Sequence, residues 1–298
     1  MSPRRKGALA LTGKMLGFDV RELDQGCYVL QDPGSRRQVM RIGAPHLRTD
    51  LLLGRGASRK QLPRVQQQIA RYLLGEQVVR LLRATEANCV LDVGANAGQF
   101  ATGLRKAGYR GRIVSFEPVT ETFERLSQRA ADDPEWDVHQ WALGATDGTA
   151  EIHTGDRLSS LLTPSDFGRE WKSRMGEMPT ETITVRRLAS VFDQVTAALA
   201  AEVGEVRAFL KMDTQGYDLR VLEGAGEALS QVVALQSEVA CLPLYDGMPR
   251  LPEQLTAYEA AGFQTVGIFP VTQHPATMRA IEMDLLMVRP DEVRRRKA

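Results

Sequence analysis

The chain has 298 residues, of which 43% are hydrophobic and 25% charged, and a formal net charge of +1. This suffices for one large α/β domain with an extension, or for two small domains. No apolar run reaches the roughly 18 residues of a membrane span. The three scattered cysteines, Cys27, Cys89 and Cys241, form neither a disulfide framework nor a metal spacing, which fits a reducing cytoplasm.

The charge is uneven: residues 1–65 carry 13 Lys/Arg against 5 Asp/Glu, and the remainder 25 against 32. A basic extension at 1–64 thus precedes an acidic body at 65–290, with a short basic tail at 291–298. The extension reads either as a solvated arm or as a contact for an anionic substrate or surface. No aromatic residue interleaves with its arginines over 36–64, so nucleic acid is not an expected partner. The basic start (Arg4, Arg5, Lys6) leads into an apolar stretch too short for a signal peptide.

Taken in order, residues 1–18 read as a short basic amphipathic helix and 26–43 as a hairpin around Asp32-Pro33-Gly34-Ser35. Residues 44–64 are Gly/Arg-rich and loop-like. Val65, Ile69, Tyr72, Leu73, Val79 and Leu82 then recur at helical spacing. Beyond them helices and strands alternate. Strands are expected at 89–93, 112–116, 138–143, 149–153, 181–186, 209–212, 232–239, 263–269 and 283–288. Helices are expected at 99–107, 120–130 (capped by Thr120), 188–200, 219–229 and 252–261. A polar loop fills 155–180. Repeated βα units mean a parallel sheet covered on both faces.

The most informative stretch is Val90-Leu-Asp92-Val-Gly94-Ala-Asn96-Ala-Gly98. An apolar strand runs into an acid and two glycines, and then into a helix. The glycines permit a tight turn and close backbone approach to a ligand. Asn96 between them breaks the dinucleotide pattern G-x-G-x-x-G, and the run resembles the first motif of S-adenosylmethionine (SAM) methyltransferases. Ligands of open α/β sheets bind beyond the carboxyl ends of the strands, where strand order reverses. Asp92, Glu117, Ala142-Leu143, Asp213 and Glu238 all fall at such ends. Glu117 follows Asp92 by 25 residues, near the interval at which an acid meets ribose hydroxyls. A carboxylate can accept hydrogen bonds from both.

With Phe116-Glu117-Pro118, Ala142-Leu143-Gly144, Ser159-Ser160-Leu161, Val185-Arg-Arg-Leu188 and Phe209-Leu-Lys211-Met-Asp213-Thr-Gln215-Gly216-Tyr-Asp218, residues 65–290 resemble the FkbM family of SAM-dependent methyltransferases. The resemblance implies a class-I, Rossmann-like α/β sheet of seven mostly parallel strands with the last antiparallel. It also implies methyl transfer to a hydroxyl of a sugar, glycolipid, polyketide or other natural-product acceptor. Under it, Asp92, Gly94, Asn96 and Gly98 line the methionine half of SAM and Glu117, followed by Pro118, takes the ribose. Ala142 and Leu143 flank the adenine.

A sugar hydroxyl is a poor nucleophile, so a general base or a metal would help. Asp213 is the first candidate, and it borders the cofactor as well. Glu238 is the second, and Asp284 could face the same cleft. His153, ending a β-like run, competes as a base, whereas His139 reads as structural. Dispersed acids leave Mg2+ as an option with no ligand set assigned, and a pairing of Lys211 with one of them would count against it. Ser159, Ser160, Trp171 and Tyr245 are expected to face the acceptor, and Trp141 to be core. Methylation of nitrogen or carbon, SAM binding without catalysis, and a partner-binding role remain the alternative readings, and self-association is left open.

Overall fold

A computed structural model describes residues 19–24, 27–31, 37–44, 47–54, 62–155 and 158–293. The chain divides into two compact units, residues 1–76 with 106–108, and residues 77–105 with 109–298. Among the described residues no helix is long and apolar enough to cross a membrane.

The first unit holds an antiparallel four-stranded sheet of β1 (Asp19–Asp24), β2 (Cys27–Gln31), β3 (Arg37–Ala44) and β4 (Leu47–Gly54), in that order. β2 and β3 form the expected hairpin, Tyr28 opposite Arg41. β4 corrects the loop expected over 44–64. Its Leu51-Leu52-Leu53 run lacks the alternation that marks a half-buried strand, yet it pairs with β3 along its whole length. The helix expected over 1–18 and the tail from 294 lie outside the described residues. Helix α1 (Leu62–Ala84) covers the helical periodicity read from 65 onward.

In the second unit β5 (Cys89–Val93) leads through α2 (Gln99–Lys106) to β6 (Arg112–Phe116), and α3 (Thr120–Ala130) leads to β7 (Trp136–His139). Two short strands follow, β8 (Ala142–Leu143) and β9 (Gly148–His153), then α4 (Asp166–Trp171), β10 (Thr180–Arg186) and α5 (Leu188–Val203). The chain ends with β11 (Ala208–Met212), α6 (Asp218–Ala225), β12 (Val232–Ala240), α7 (Leu251–Ala260), β13 (Gln264–Gln273) and β14 (Ala280–Val288).

Seven strands form the main sheet in the order β13-β14-β12-β11-β5-β6-β7. β12, β11, β5, β6 and β7 run parallel, while β14 lies antiparallel between β12 and β13. This is the sheet the resemblance implies. Strand order reverses between β5 and β11, so their carboxyl ends open the crevice in which such sheets bind ligands. Leu91, Val93, Leu210, Met212, Leu235, Leu285 and Met287 bury one face of the sheet against Leu188, Val191, Phe192 and Val195 of α5, Val221 of α6 and Tyr258 of α7. β5 and β11 are buried throughout, as parallel strands covered on both faces must be.

Three local expectations need correction. The strand expected at 138–143 is two strands in two sheets. His139 ends β7, where its carbonyl accepts from Glu117 N–H, and Ala142–Leu143 then pairs in parallel with β10. Thr120 does not cap α3. Val119 holds the N-cap position without a side-chain bond, and the Glu181 carboxylate of β10 accepts from the Thr120 N–H and hydroxyl instead. An acid there also suits the positive end of the helix dipole. The 155–180 segment is no open loop. Ser165 caps α4 by accepting from Gly168 N–H, and Met175 buries with Leu242, Leu244, Tyr245, Met248 and Ile281 in a second apolar cluster, against which Leu158, Leu162, Phe167, Trp171 and Met178 pack.

Candidate active site

The turn after β5 is built by close approach. Gly94 (φ +71°), Asn96 (φ +48°) and Gly98 (φ +78°) all have left-handed backbone. A Cβ on Gly94 would lie 2.1 Å from the Asp213 carbonyl oxygen, and one on Gly98 would lie 2.8 Å from the Trp136 ring. The two glycines are therefore required by the neighbouring strands β11 and β7, a reason beyond ligand access. The N–H groups of Gly94 and Ala95 both donate to the Phe116 carbonyl at 3.0 Å, which ties the turn to β6. Asn96 Oδ1 accepts from Ala97 N–H at 2.8 Å and from Gln99 Nε2, and so starts α2.

Asp92 is fully buried, and its carboxylate forms an ion pair with Lys211 Nζ at 3.0 Å. The two residues face each other across the β5–β11 ladder. The ammonium also donates to the Gly94 carbonyl at 2.9 Å and lies 3.7 Å from Asp213 Oδ2. Burial works against the Lys211 charge, but Asp92 and Asp213 outweigh it and hold the amine protonated, above its ordinary range. Burial pushes the Asp92 carboxyl up while Lys211 pulls it back.

Glu117 is 6% exposed. One of its oxygens accepts from Asn96 N–H at 2.9 Å and the other from Val119 N–H at 3.1 Å, across the buried Pro118. Burial lifts its pKa to about 7 against those two bonds. A carboxylate offers about four lone-pair positions, so both oxygens retain capacity for a ribose diol. Beside it, His139 packs against both Phe116 (5.7 Å) and Trp141 (4.5 Å), which also stack on each other, and the Arg186 guanidinium lies 5.8 Å from the Trp141 ring centre. Burial holds the His139 imidazole below its ordinary pKa. Ala142 and Leu143 are buried beyond this stack, and the Leu143 side chain belongs to the main core.

Asp213 directly follows β11 at the switch point. Its N–H donates to the Val93 carbonyl at 3.1 Å, and its side chain is 41% exposed. Gln215, with φ +52° and 9% exposed, turns back over the strand ends. Its Nε2 donates to Glu238 Oε2 at 2.6 Å and reaches Asp213 Oδ1 at 3.3 Å. Burial pushes the Glu238 carboxyl well up, and Asp213, Glu282 and Asp284 push it further. Asp284 accepts from Gln236 Nε2 at 2.9 Å. Asp92, Gly94, Asp213 and Glu238 are thus brought together, linked by Lys211 and Gln215.

The residues expected at the acceptor are mostly engaged in holding this frame. Ser160 (1% exposed) donates to the Gln215 carbonyl at 2.8 Å, and Ser159 Oγ accepts from Gly155 N–H at 3.1 Å. His153 is joined to Ser160 through backbone bonds at the end of β9. Tyr245 is wholly buried, and its hydroxyl donates to the Leu158 carbonyl at 2.6 Å and sits 3.4 Å from Gln215 Oε1. Trp171 packs on His274 with ring centres 5.0 Å apart. Gln215 has no expected role beyond its motif, and Glu282 is not among the expected site residues. An acid on β14 two residues before Asp284 shares its face, which was the available signal. Asp218 likewise has no expected role beyond the motif. It is fully buried and accepts from Thr214 N–H and the Ser237 hydroxyl.

Mg2+ gains no support. Among the described residues no group of three or more His, Cys, Asp or Glu side chains is arranged to hold a metal ion. Lys211 occupies the space between Asp92 and Asp213, and Gln215 engages Glu238.

A family model described as the methyltransferase FkbM domain matches residues 92–253, more than half of the chain. Hexuronic acid methyltransferase AglP of Haloferax volcanii is 29% identical over 168 residues, which span 54% of this chain and 61% of that protein. Among solved structures, magnesium protoporphyrin IX methyltransferase of Synechocystis PCC 6803 with bound SAM is 11% identical, with 75% of this chain and 82% of that one covered and a TM-score of 0.40. Aeropyrum pernix fibrillarin in complex with SAM is 13% identical, with 91% and 98% covered and a TM-score of 0.40.

Proposed function

This chain belongs to the FkbM methyltransferase family, and we propose that it transfers the methyl group of SAM to a hydroxyl of a sugar or glycoside, with residues 65–290 as the catalytic domain. SAM supplies, when bound, a methyl group already activated on a sulfonium. Alignment of the acceptor oxygen with that methyl group therefore carries much of the rate.

The residues fit an adenosyl ligand. The Gly94–Gly98 turn presents backbone at the switch point, and Glu117 keeps acceptor capacity on both oxygens for the ribose. The Phe116–His139–Trp141 stack and Ala142-Leu143 bound the adenine side. Asp92 works through Lys211, whose ammonium fixes the Gly94 carbonyl. Asp213, partly exposed beside the turn, orients the acceptor hydroxyl, and Glu238 takes its proton. Glu238 suits that task because its surroundings raise its affinity for a proton, and a base matched to working pH transfers protons best. Ser159, Ser160, Trp171 and Tyr245 shape the acceptor side by holding the 155–180 segment and the Gln215 turn, and His153 contributes through Ser160.

The observation that carries the reading is the union of Glu117, the Gly94 turn and the Asp213–Gln215–Glu238 bridge at one switch point. The similarity to a hexuronic acid methyltransferase supports a sugar acceptor. Incubation with SAM and a panel of p-nitrophenyl glycosides, uronides included, tests it by mass spectrometry. One added methyl on a ring hydroxyl is expected. Transfer to nitrogen or carbon acceptors alone would refute it.

A further inference from the structure

Two carboxyls meet near the carboxyl end of β12. Glu238 faces Asp284 across the β12–β14 ladder, and Glu282 lies two residues along β14 on the same face, opposite the small Ala240. Long side chains at such diagonal positions reach one another. Glu282 is 4% exposed, so its carboxyl is buried beside that of Glu238. Two carboxylate anions buried side by side repel, so one of them keeps a proton. The same face holds an unmet acceptor. Gln236, two residues before Glu238 on β12, is 6% exposed, and its Oε1 has no hydrogen-bond donor among the described residues. A hydroxyl of a bound polyol would satisfy it.

We propose that Glu238 and Glu282 share one proton across neutral pH and that Glu282 is a positioning residue, acting on methyl transfer through Glu238. This rests on the reading of Glu238 as the proton acceptor. The groups facing the pair are mostly acidic: Asp213 after β11, Asp284 on β14 and Asp218 on α6. Tyr245 of the 241–248 loop faces it as well. Lys172, after α4, is the cation acting on Glu282, and Thr272 of β13 lies opposite it across the β13–β14 ladder. A second full negative charge in such surroundings is disfavoured, as in any close carboxyl pair. The pair then works as a monoanion. As the acceptor oxygen bonds to the methyl carbon, the C–S electron pair goes to sulfur and the hydroxyl proton goes to Glu238. This leaves a neutral pair, a methyl ether and S-adenosylhomocysteine (SAH), and the pair returns its extra proton to water. At still higher pH, beyond about 8.5, Glu282 loses its proton, the two anions repel and Glu238 is displaced.

Infrared spectroscopy of the full chain labelled with [13C]glutamate tests the shared proton without any acceptor. At about pH 8.5, Glu117, raised by burial to about 7, is ionised. One protonated-glutamate carbonyl signal is expected in the wild type and none in Glu282→Gln. Absence of the signal from the wild type, a reading that needs no variant to fold, would overturn the proposal, as would its persistence in Glu282→Gln that still binds SAH.

The positioning role is read from the pH profile of kcat on the glycoside that accepts methyl. Glu282→Gln keeps a donor to Glu238 at every pH, so the alkaline fall in rate disappears. Glu282→Leu has no donor and loses about tenfold or more in kcat at neutral pH. An unchanged alkaline limb in Glu282→Gln contradicts the role. If the whole glycoside panel is inert, the functional reading fails, while the shared proton is still decided by the carbonyl signal.

Discussion

Replacing Lys211 with Met removes the cation from the centre of the site and leaves most of its stem. The ammonium sits 3.0 Å from a carboxylate with no exposed surface, and it donates to the Gly94 carbonyl at 2.9 Å. Removing one partner of a buried pair costs about 3–5 kcal/mol, because the other charge is stranded. The lost bond to Gly94, about 1.5–3 kcal/mol for a charged donor, overlaps with that figure and does not add to it. Urea unfolding of Lys211→Met should therefore show a loss of about 4 kcal/mol near neutral pH. Asp92→Asn in the same background removes the stranded charge and should restore about half of it, a coupling of about 2 kcal/mol. The sign with pH follows. Burial already lifts the folded-state pKa of Asp92 above 3.8, with Lys211 opposing. Without Lys211 it rises further, the folded state takes up a proton that the unfolded state does not, and the deficit narrows as pH falls through that pKa. A loss below about 1 kcal/mol, or one that Asp92→Asn leaves unchanged, would refute the claim that this ion pair organises the turn.

Other outcomes follow from the same contacts. Gly94→Ala meets both a left-handed φ and a Cβ 2.1 Å from Asp213 O, so strain of about 1–3 kcal/mol or more should appear as a lower Tm and lost SAH binding in calorimetry. Glu117, raised by burial to about 7 from 4.5, holds a proton in the folded apo protein that the unfolded chain releases. Its contribution to apo stability is present below 4.5 and is lost as pH rises through 7. SAH binding has the opposite sense. With the carboxylate as acceptor, affinity at pH 6 should be about tenfold weaker than at pH 8, whereas Glu117→Gln should show a flat profile. Glu181→Ala removes the acceptor at the start of α3 and should cost about 1 kcal/mol in urea unfolding, with SAH affinity unchanged.

The parallel strands were legible because β5 and β11 are short apolar runs that end in acids, and the switch-point geometry then brings Asp92, Asp213 and Glu238 together. The Lys211–Asp92 pairing follows from register, which the sequence states only once strand order is known. Less was legible where packing decides. Leu143 looked like a ligand neighbour by motif, yet its side chain is core. Tyr245 and Trp171 looked like loop residues because their apolar partners, Met175 and Leu244 among them, come from segments more than sixty residues apart. Glu282 is not legible because its place beside Glu238 depends on the register of two antiparallel strands, and the pattern predicts a strand only from 283, one residue after it. Glu181 was invisible as a helix cap because it reaches α3 from sixty residues away.

The central claim is that the Gly94 turn and Glu117 form the methyl-donor site, and isothermal calorimetry with SAH on the wild type and on Glu117→Ala tests it most directly. One SAH bound per wild-type chain is expected, with a loss of at least about 2 kcal/mol of binding free energy, roughly thirtyfold in Kd, in a folded Glu117→Ala. No binding by the wild type, or equal binding by the variant, would contradict it.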